Sequence, residues 1–407
     1  MVSTPQSGAG NLVGANLVAA SPVGGRRRRS TCRLFLVAVL ACLSAGLAGA
    51  DEFSLIQTST VIGRNYGYPS GTPSSGLTQV GNFDIVLETA VFFKNLELVG
   101  RVPVNAGIEG ETFTGFLLPL RARYRPAASV VVEFGALLGQ NYGDLHTIDV
   151  ADPLLRLGWL AANGLYVIGG TIFPTHWIHD AVYDDVQRLR FGAEQGLQLR
   201  ADLSWFKHDT WVNWRVRESG NTAEEFMVGT TSEFRLFSDL LRLGGQVFWA
   251  HTGGQQNSTY RIEHNLIFLG NASLGYSLAN DTRRVADLRA GVNLMSSLDE
   301  GRDLPVLRGD GHEFFGAIDA YPWNEVTRLR LNGSWFYGDE FLSRFGDPLY
   351  SLPDYNQIGV TALFELPSGL SFEIAFSAQT TDGDLNYTYH VNFSWGAGFG
   401  LSFLQPR

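Results

Sequence analysis

The stretch that decides the fold is residues 386–403, which read NYTYHVNFSWGAGFGLSF. One set of alternate positions is wholly apolar and rich in aromatics, and the intervening positions are polar or glycine. Because successive side chains of an extended chain point to opposite faces, the segment predicts a β-strand with one apolar face. A face with so many aromatic rings is not left in water, so either protein or lipid must cover it.

The same alternation recurs far upstream of this strand. It occurs in residues 116–125, 197–205, 287–294, 328–337 and 370–377. Each stretch is close to the roughly 9 to 11 residues that a tilted transmembrane strand needs. No run of apolar residues is long enough for a membrane helix. Because closing a sheet removes its edges and lipid accepts its apolar face, the chain predicts an all-β, transmembrane antiparallel β-barrel of about 16–20 strands.

The connections between the strands also follow a pattern, because short turns alternate with long polar loops. The expected short turns are Lys94-Asn95 and residues 126–128, 161–164, 321–325 and 367–369. The expected long loops are residues 105–114, 139–152, 174–185, 297–312 and 338–354. This alternation is typical of periplasmic turns and extracellular loops. The pattern changes phase between residues 207 and 284, so the sequence gives a range of strand counts.

The N-terminal residues predict an export signal, with an Arg-rich organelle transit peptide as the alternative. The signal consists of a basic region, an apolar run and a small-residue cleavage site: Arg26–Arg29 with Arg33, residues 34–43, and Ala48-Gly49-Ala50. We therefore expect residues 1–50 to be an N-terminal extension with a cleavable signal peptide, and residues 51–407 to form the barrel. Cleavage removes Cys32 and Cys42, the two cysteines of the chain, so the barrel is expected to contain no disulfide.

With these features the chain resembles the bacterial outer-membrane β-barrel class. The resemblance rests on the signal segment, on the alternating strands and on residues 398–403, GFGLSF, which are similar to the terminal assembly signal of that class. It implies that the protein is located in the outer membrane, contacts outer-membrane lipid and is inserted by the barrel-assembly machinery. The chain departs from the class pattern by continuing to Arg407.

Arginines at two-residue spacing mark the polar faces of several strands. The candidate pore-lining residues are Arg121, Arg123, Arg125, Arg200, Arg328 and Arg330. In a strand this spacing places the guanidinium groups on one face, which in a barrel is the lumen, where like charges select ions of the opposite sign. Pairing with acids of neighbouring strands is the alternative. Outside the first 50 residues, acids outnumber basic residues 40 to 25, so no nucleic-acid partner is expected.

The most concentrated polar cluster lies in the long loop after residue 173. It consists of His176, His179, Asp180, Asp184 and Asp185. An inward-folded loop with these residues would narrow the pore, whereas an ordinary surface loop is the alternative. Two histidines three residues apart do not fix a complete ligand set, so no metal or cofactor is predicted.

The sequence shows no convincing catalytic group. His390 and Ser394 share a strand face but lie about 13 Å apart, beyond hydrogen-bond reach. His251 and His264 have no obvious serine partner. We therefore predict no catalytic residues and no enzymatic activity. The tryptophans near strand ends are expected to be interfacial anchors: Trp205, Trp211, Trp249, Trp335 and Trp395.

These features favour a porin-like outer-membrane channel that passes small hydrophilic solutes with a preference for anions. The oligomeric state does not follow from the sequence. An export barrel for an anionic polysaccharide is an alternative of the same class. A plugged outer-membrane barrel, acting as a lipid-modifying enzyme or as a structural or adhesion scaffold, is the alternative from another class.

Overall fold

The structure is a computed structural model. It describes residues 80–81, 83–97, 110–143, 150–162, 164–184, 187, 192–219, 222–253, 262–280, 283–301, 306–323, 327–365, 370–381 and 384–401. The predicted signal segment, residues 1–50, lies outside this part of the chain. Within the described residues, no helix is both long enough and apolar enough to cross a membrane.

Sixteen strands are present among the described residues. They are β1 (Phe83–Glu97), β2 (Glu111–Ala127), β3 (Val130–Asn141), β4 (Val150–Ala162), β5 (Leu165–Thr171), β6 (Gln195–Asp202), β7 (Phe206–Val216), β8 (Glu224–Leu236), β9 (Leu241–Gly253), β10 (Glu263–Ala279), β11 (Arg284–Glu300), β12 (Leu307–Ala320), β13 (Thr327–Asp339), β14 (Asp354–Glu365), β15 (Leu370–Thr381) and β16 (Asp384–Leu401). A short 3-10 turn, Pro348–Ser351, lies between β13 and β14.

The strands form one closed antiparallel barrel in chain order, and β1 pairs with β16 to close it. The closing register runs from Phe83 opposite Leu401 to Glu97 opposite Tyr387. The predicted transmembrane antiparallel barrel is confirmed, with a strand count at the lower end of the predicted range. Residues 386–401 of the alternating C-terminal segment lie in one continuous strand, β16, which bonds β15 on one side and β1 on the other.

The two faces of the strands have opposite character, as the alternation predicts. On β16, Phe393 is 46% exposed on the outer face, whereas the adjacent Asn392 is 2% exposed and faces the lumen. The exposed large apolar residues of the described chain are mainly leucines and aromatic residues, with some valines and isoleucines. An apolar outer face around a closed barrel is the surface that lipid covers.

Short connections at one end of the barrel alternate with mostly longer ones at the other end, including residues 207–284; the exception is the two-residue connection between β15 and β16, which lies at the end of the longer loops. Residues 203–205 and 237–240 form short turns at the end of the barrel that also holds the start of β1, and the longer connections lie at the other end. By the usual topology of the class, the short turns are periplasmic and the long loops extracellular. The predicted turn at Lys94-Asn95 is wrong, because both residues lie within β1, where Asn95 accepts a hydrogen bond from Thr112 of β2.

The periplasmic half of the lumen contains networks of buried ion pairs, and Glu133 is the centre of one of them. Its carboxylate lies 2.8 Å from Nε of Arg123, 2.6 Å from Nη1 of Arg156 and 3.6 Å from Nη1 of Arg121. Arg121 also binds Glu88 at 2.5 Å. The carboxylate of Glu133 on β3 therefore lies among guanidinium groups of the neighbouring strands β2 and β4.

Removing the charge of Glu133 is expected to destabilise the barrel. Glu133→Gln leaves buried guanidinium groups without their counter-ion, and we expect a loss of about 3 kcal/mol in the free energy of unfolding. Urea unfolding in detergent micelles, followed by heat-modifiable gel mobility, measures this loss. The control is Glu97→Gln at the exposed end of β1, which should change stability by less than about 0.5 kcal/mol. Equal stability of the two variants would contradict the role of Glu133.

Candidate functional site

Two long loops fold into the extracellular half of the lumen. They are the described residues of the β5–β6 loop, 172–184, 187 and 192–194, and the β13–β14 loop, residues 340–353, and we call them together the inner plug. The backbone N–H of Asp184 donates to Phe345 O at 2.7 Å, and that of Asp347 donates to Asp180 O at 2.7 Å. The two loops therefore form a single hydrogen-bonded unit inside the wall.

An apolar core joins the inner plug to the surrounding strands. The loops contribute Ile172, Phe173, Ile178, Ala181, Val182, Tyr183, Phe341, Leu349, Tyr350 and Leu352. The wall contributes Leu96, Ile168, Trp211, Met227, Phe248, Ala250, Ile267, Leu269, Met295, Phe336 and Tyr355, from strands β1, β5, β7 to β11, β13 and β14. Packed apolar side chains therefore occupy this level of the lumen.

His176 is the most deeply buried ionisable group of the inner plug. Its Nε2 lies 2.6 Å from Glu194 and its Nδ1 lies 3.1 Å from Asp209, and the side chain has no exposed surface. Burial lowers the pKa of His176, but the two carboxylates outweigh burial and raise it above its ordinary value. A protonated His176 thus anchors the β5–β6 loop to β7.

Trp211 stacks on the ring of His176 with a centroid separation of 3.6 Å. It is buried in the lumen, so the prediction that it anchors the membrane interface is wrong. The alternation of β7 places it inward together with Asp209, and its ring occupies the position where a Cβ at Gly229 would lie. Trp205 and Trp335, in contrast, are exposed on the outer face, as predicted.

The other residues of the predicted constriction loop have separate partners. Nε2 of His179 lies 3.2 Å from Glu313, and its Nδ1 accepts the backbone N–H of Ala181 at 3.1 Å. Asp184 pairs with Lys94 at 3.2 Å. Asp180 contributes its backbone carbonyl to the contact between the loops, and Asp185 lies outside the described residues. The loop folds inward, and its role in narrowing a pore stays a prediction.

Beside His179 is a small polar cavity, also lined by Thr231, Gln246, Asn271 and Asn293. Tyr350 donates to the other oxygen of Glu313 at 3.1 Å. Burial raises the pKa of Tyr350 well above its usual range, so its hydroxyl stays neutral and acts as a donor. This arrangement satisfies Glu313 and holds the inner plug in place.

The candidate pore-lining arginines lie on lumenal strand faces and have protein partners. Arg121 and Arg123 bind Glu133, and Arg330 and Arg328 lie 2.8 Å and 3.9 Å from Asp319. The remaining two donate to backbone carbonyls, Arg125 to Ala128 and Arg200 to Thr175. Pairing with acids therefore describes the contacts given for Arg121, Arg123, Arg328 and Arg330, and a role in ion selection stays a prediction.

A second histidine cluster lies outside the barrel, at the extracellular ends of β9, β10 and β11. His251 and His264 are paired across the β9–β10 ladder, with 3.2 Å between their Nδ1 atoms. Glu300 lies directly across from His264 on β11. All three alternate with buried lumenal residues, so they share the outer face, and we call them the outer histidine site.

Aromatic rings surround the outer histidine site. Phe226 contacts the ring of His251 at 4.8 Å, and Trp249 packs edge-on against Phe226 at 5.1 Å. Indole Nε1 of Trp249 donates to Nδ1 of His264 at 3.2 Å. Aromatic belts of outer-membrane barrels lie at the boundary between hydrocarbon and head groups. The site is therefore at the level where ester bonds of outer-leaflet lipids meet the polar surface.

The ring nitrogens of the two histidines meet at the outer histidine site. Because an indole N–H only donates, Nδ1 of His264 accepts from Trp249. Nδ1 of His251 lies 3.2 Å from the same nitrogen, which has a single lone pair. With the proton of His251 on Nδ1, its Nε2 has an available lone pair, which is the requirement for a general base.

The sequence alone did not identify this pair because the two residues are 13 positions apart. Only the register of the β9–β10 hairpin places His251 opposite His264. The contact could have been predicted if the sequence had placed a hairpin midway between the two histidines. The order of turns and loops in this region was not clear from the sequence.

Comparison with known proteins gives one family. A family model described as Lipid A 3'-O-deacylase-type matches residues 76–395. The comparison with curated proteins found no match. The similar solved structures include a loop L8 deletion mutant of OmpT, an outer membrane protein of Vibrio cholerae, with 11% identity and a TM-score of 0.47 over 78% of this chain and 100% of that one. OccK5 of Pseudomonas aeruginosa has 11% identity and a TM-score of 0.44 over 79% and 99%. The anion-selective porin from Comamonas acidovorans has 11% identity and a TM-score of 0.43 over 77% and 98%.

The family match corrects one prediction. From the sequence we predicted no enzymatic activity, and this is wrong because the matching family is an enzyme family. The prediction rested on the distance between His390 and Ser394 along one strand. Spacing along the sequence does not show which residues of different strands are neighbours.

The anchoring by His176 is expected to depend on pH. Because the pKa of His176 is raised in the folded state, its stabilising contribution is complete below the ordinary value of about 6.5 and is lost as pH rises through the raised pKa. Glu194, Asp209, Tyr183 and Arg200 are the polar groups that surround it. Hydrogen exchange of residues 172–184 should therefore differ most between wild type and His176→Gln at acidic pH.

Comparing the two proteins at the same pH cancels the intrinsic pH dependence of exchange. The control is His312→Gln on the outer face, which should leave exchange of the inner plug unchanged. A difference between wild type and His176→Gln that grows with rising pH would contradict a protonated anchor.

Proposed function

Because the chain belongs to the lipid A 3'-O-deacylase-type family, we propose that it is an outer-membrane ester hydrolase that removes an acyl chain from a lipid A-type lipid. The single observation that carries this proposal is the family match over residues 76–395. Residues 1–50 would act as the signal peptide that delivers the barrel, residues 51–407, to the outer membrane. This is the lipid-modifying alternative of the sequence analysis rather than the channel.

The structure supports a site on the outside of the barrel rather than in the lumen. Lipid A occupies the outer leaflet, and its acyl esters lie where the sugar meets the hydrocarbon. The inner plug fills the extracellular half of the lumen with packed side chains. A lipid with several acyl chains is therefore most easily reached from the lipid face, where the outer histidine site is exposed at the aromatic belt.

The proposed reaction is hydrolysis of the acyl ester by a water molecule. Nε2 of His251 takes a proton as the water oxygen attacks the ester carbonyl. The tetrahedral intermediate then collapses, and the sugar oxygen leaves with the proton that His251 returns. The products are a free fatty acid and a sugar hydroxyl.

The neighbours of His251 have positioning roles in this proposal. Nδ1 of His264, 3.2 Å from Nδ1 of His251, fixes the orientation of the His251 ring. Trp249 in turn fixes His264. Glu300, across the ladder from His264, lies where a carboxylate stabilises positive charge that develops on the histidine pair.

Deacylation by the purified protein tests the proposal. Lipid A in mixed detergent micelles should lose one acyl chain, detected by mass spectrometry as a lighter lipid and a free fatty acid. We expect His251→Ala to lower the rate by about 100-fold or more, since positioned general bases contribute roughly 10²–10⁴-fold. His264→Ala should lower it in the same direction.

The matched control is His312→Ala, because His312 is also an outward histidine packed among aromatic rings, against Tyr337 at 5.1 Å, but it lies outside the outer histidine site. Its rate should stay within about twofold of wild type, as expected for a change away from the reacting groups. No acyl loss with wild type would refute the proposed activity. Equal losses in the His251 and His312 variants would refute the assignment of the site.

The inner plug also predicts how the protein behaves in a planar bilayer. Since packed apolar side chains fill one level of the lumen, wild-type protein that is active on lipid should show no steady conductance. A stable open channel with an anion-biased reversal potential would instead favour the porin-like alternative. The same preparation should be used for both assays, so that inactive protein is not mistaken for a closed barrel.

A further inference from the structure

A chain of polar side chains lies on the lipid face at the opposite, periplasmic end of β7 and β8. Oγ of Ser232 is 2.9 Å from Nδ1 of His208, and Oγ1 of Thr210 is 2.8 Å from Nε2 of the same ring. Thr210 and Thr230 hydroxyls are 2.7 Å apart. We call these four residues the outer hydroxyl cluster.

Their outward direction follows from the alternation of both strands. Asp209 and Trp211 of β7, and Thr231 and Glu233 of β8, are buried in the lumen. The members of the cluster alternate with them and form two adjacent cross-strand pairs, His208 with Ser232 and Thr210 with Thr230. Polar groups on a lipid-facing surface are costly, and these four bond to one another. When His208 donates from Nδ1, the hydroxyl hydrogen of Ser232 is left for a polar ligand.

The depth of the cluster indicates which lipid it meets. Phe206 and Phe234 form the next cross-strand pair towards the periplasm, with ring centroids 4.8 Å apart, and Trp205 stacks beside them at 5.4 Å. These rings lie next to the short periplasmic turns and form part of the inner aromatic belt. One pair deeper, the cluster lies on the hydrocarbon side of this belt, next to the glycerol and acyl-ester groups of the periplasmic leaflet.

A shallow trough continues from Ser232 across the next two strands. Ser232 lies opposite Gly245 of β9, and Gly245 lies opposite Gly270 of β10. A Cβ added to Gly270 would meet no atom within 4 Å. A side chain at position 270 would therefore not clash with its neighbours. At Gly229, in contrast, a side chain would clash with the ring of Trp211.

Exposed apolar side chains border the trough. They are Leu243, Phe268 and Leu294, and Leu294 is 62% exposed. The surface thus combines an apolar trough with hydroxyl and imidazole groups at one end. This is the pattern of an acyl chain joined to an ester.

We propose that the outer hydroxyl cluster binds the acyl-ester and glycerol region of a glycerophospholipid in the periplasmic leaflet, with one acyl chain lying over Gly245 and Gly270. The ester carbonyl accepts a hydrogen bond from Ser232, and Nδ1–H of His208 donates to Ser232 in turn. Thr210 holds the other nitrogen of the ring. This site is distinct from the proposed deacylase site, because it faces the other leaflet and a different class of lipid.

Native mass spectrometry of the full mature chain in detergent tests the proposal without relying on a variant. The probes are dioleoylphosphatidylethanolamine and its diether analogue, which lacks the ester carbonyls. Because one net hydrogen bond corresponds to about a fivefold change in affinity, the wild type should bind the first diester molecule about fivefold more tightly than the diether. Equal binding of the two lipids would overturn the proposal.

Variants locate the site. Ser232→Ala should lose about fivefold in diester affinity, again the effect of one hydrogen bond, and should bind the two lipids equally. Gly270→Leu, which fills the trough, should weaken binding of both. The control is Ser296→Ala, the same change on the outer face of β11, which should bind both lipids as the wild type does. Equal affinities in the Ser232 and Ser296 variants, with both shown to be folded by heat-modifiable mobility, would also overturn the proposal.

Discussion

Closure of the hydrogen-bond ladder between β1 and β16 is the constraint on which the rest of the structure depends. Once the ladder is closed, every strand residue has one of two environments, because successive side chains alternate between lipid and lumen. The lumen has a fixed circumference and must then be filled or hydrated. In this protein it is filled, by ion pairs around Glu133 at the periplasmic level and by the inner plug at the extracellular level.

Most of the fold could be predicted from this alternation. The alternation in β16 and the two-residue spacing of Arg121 and Arg123 both predict strands with one polar face. The polar residues of β16 and the two arginines lie on lumenal faces, as expected. The alternation shows which residues of a strand share a face. It does not show which face points to the lumen when both faces contain aromatic residues. Trp211 was misassigned for that reason, since the lumen here contains an apolar core as well as charges. Lys94-Asn95 was misassigned because polar residues also occur inside a strand.

The candidate sites could be predicted only in part. Sequence pointed to His176 as part of a polar loop, but its partner Asp209 belongs to a strand 33 residues further on, and no local pattern joins them. The outer histidine site depends on the register of one hairpin. Register is set by the whole closed ladder, so pairs across strands become visible only when the barrel is assembled.

When the lumen of a barrel is filled, polar residues have different roles on its inner and outer faces. Inside, charges and histidines are the ordinary means of stabilising a packed interior, and His176 with Asp209 illustrates this use. Outside, hydrocarbon gives no compensation for a polar group, so its presence needs a ligand or a partner. The outer histidine site and the outer hydroxyl cluster lie on the same sector of the wall but at opposite aromatic belts. The proposed deacylase site and the proposed glycerophospholipid site therefore both lie on the outer surface of a plugged barrel, one facing each leaflet.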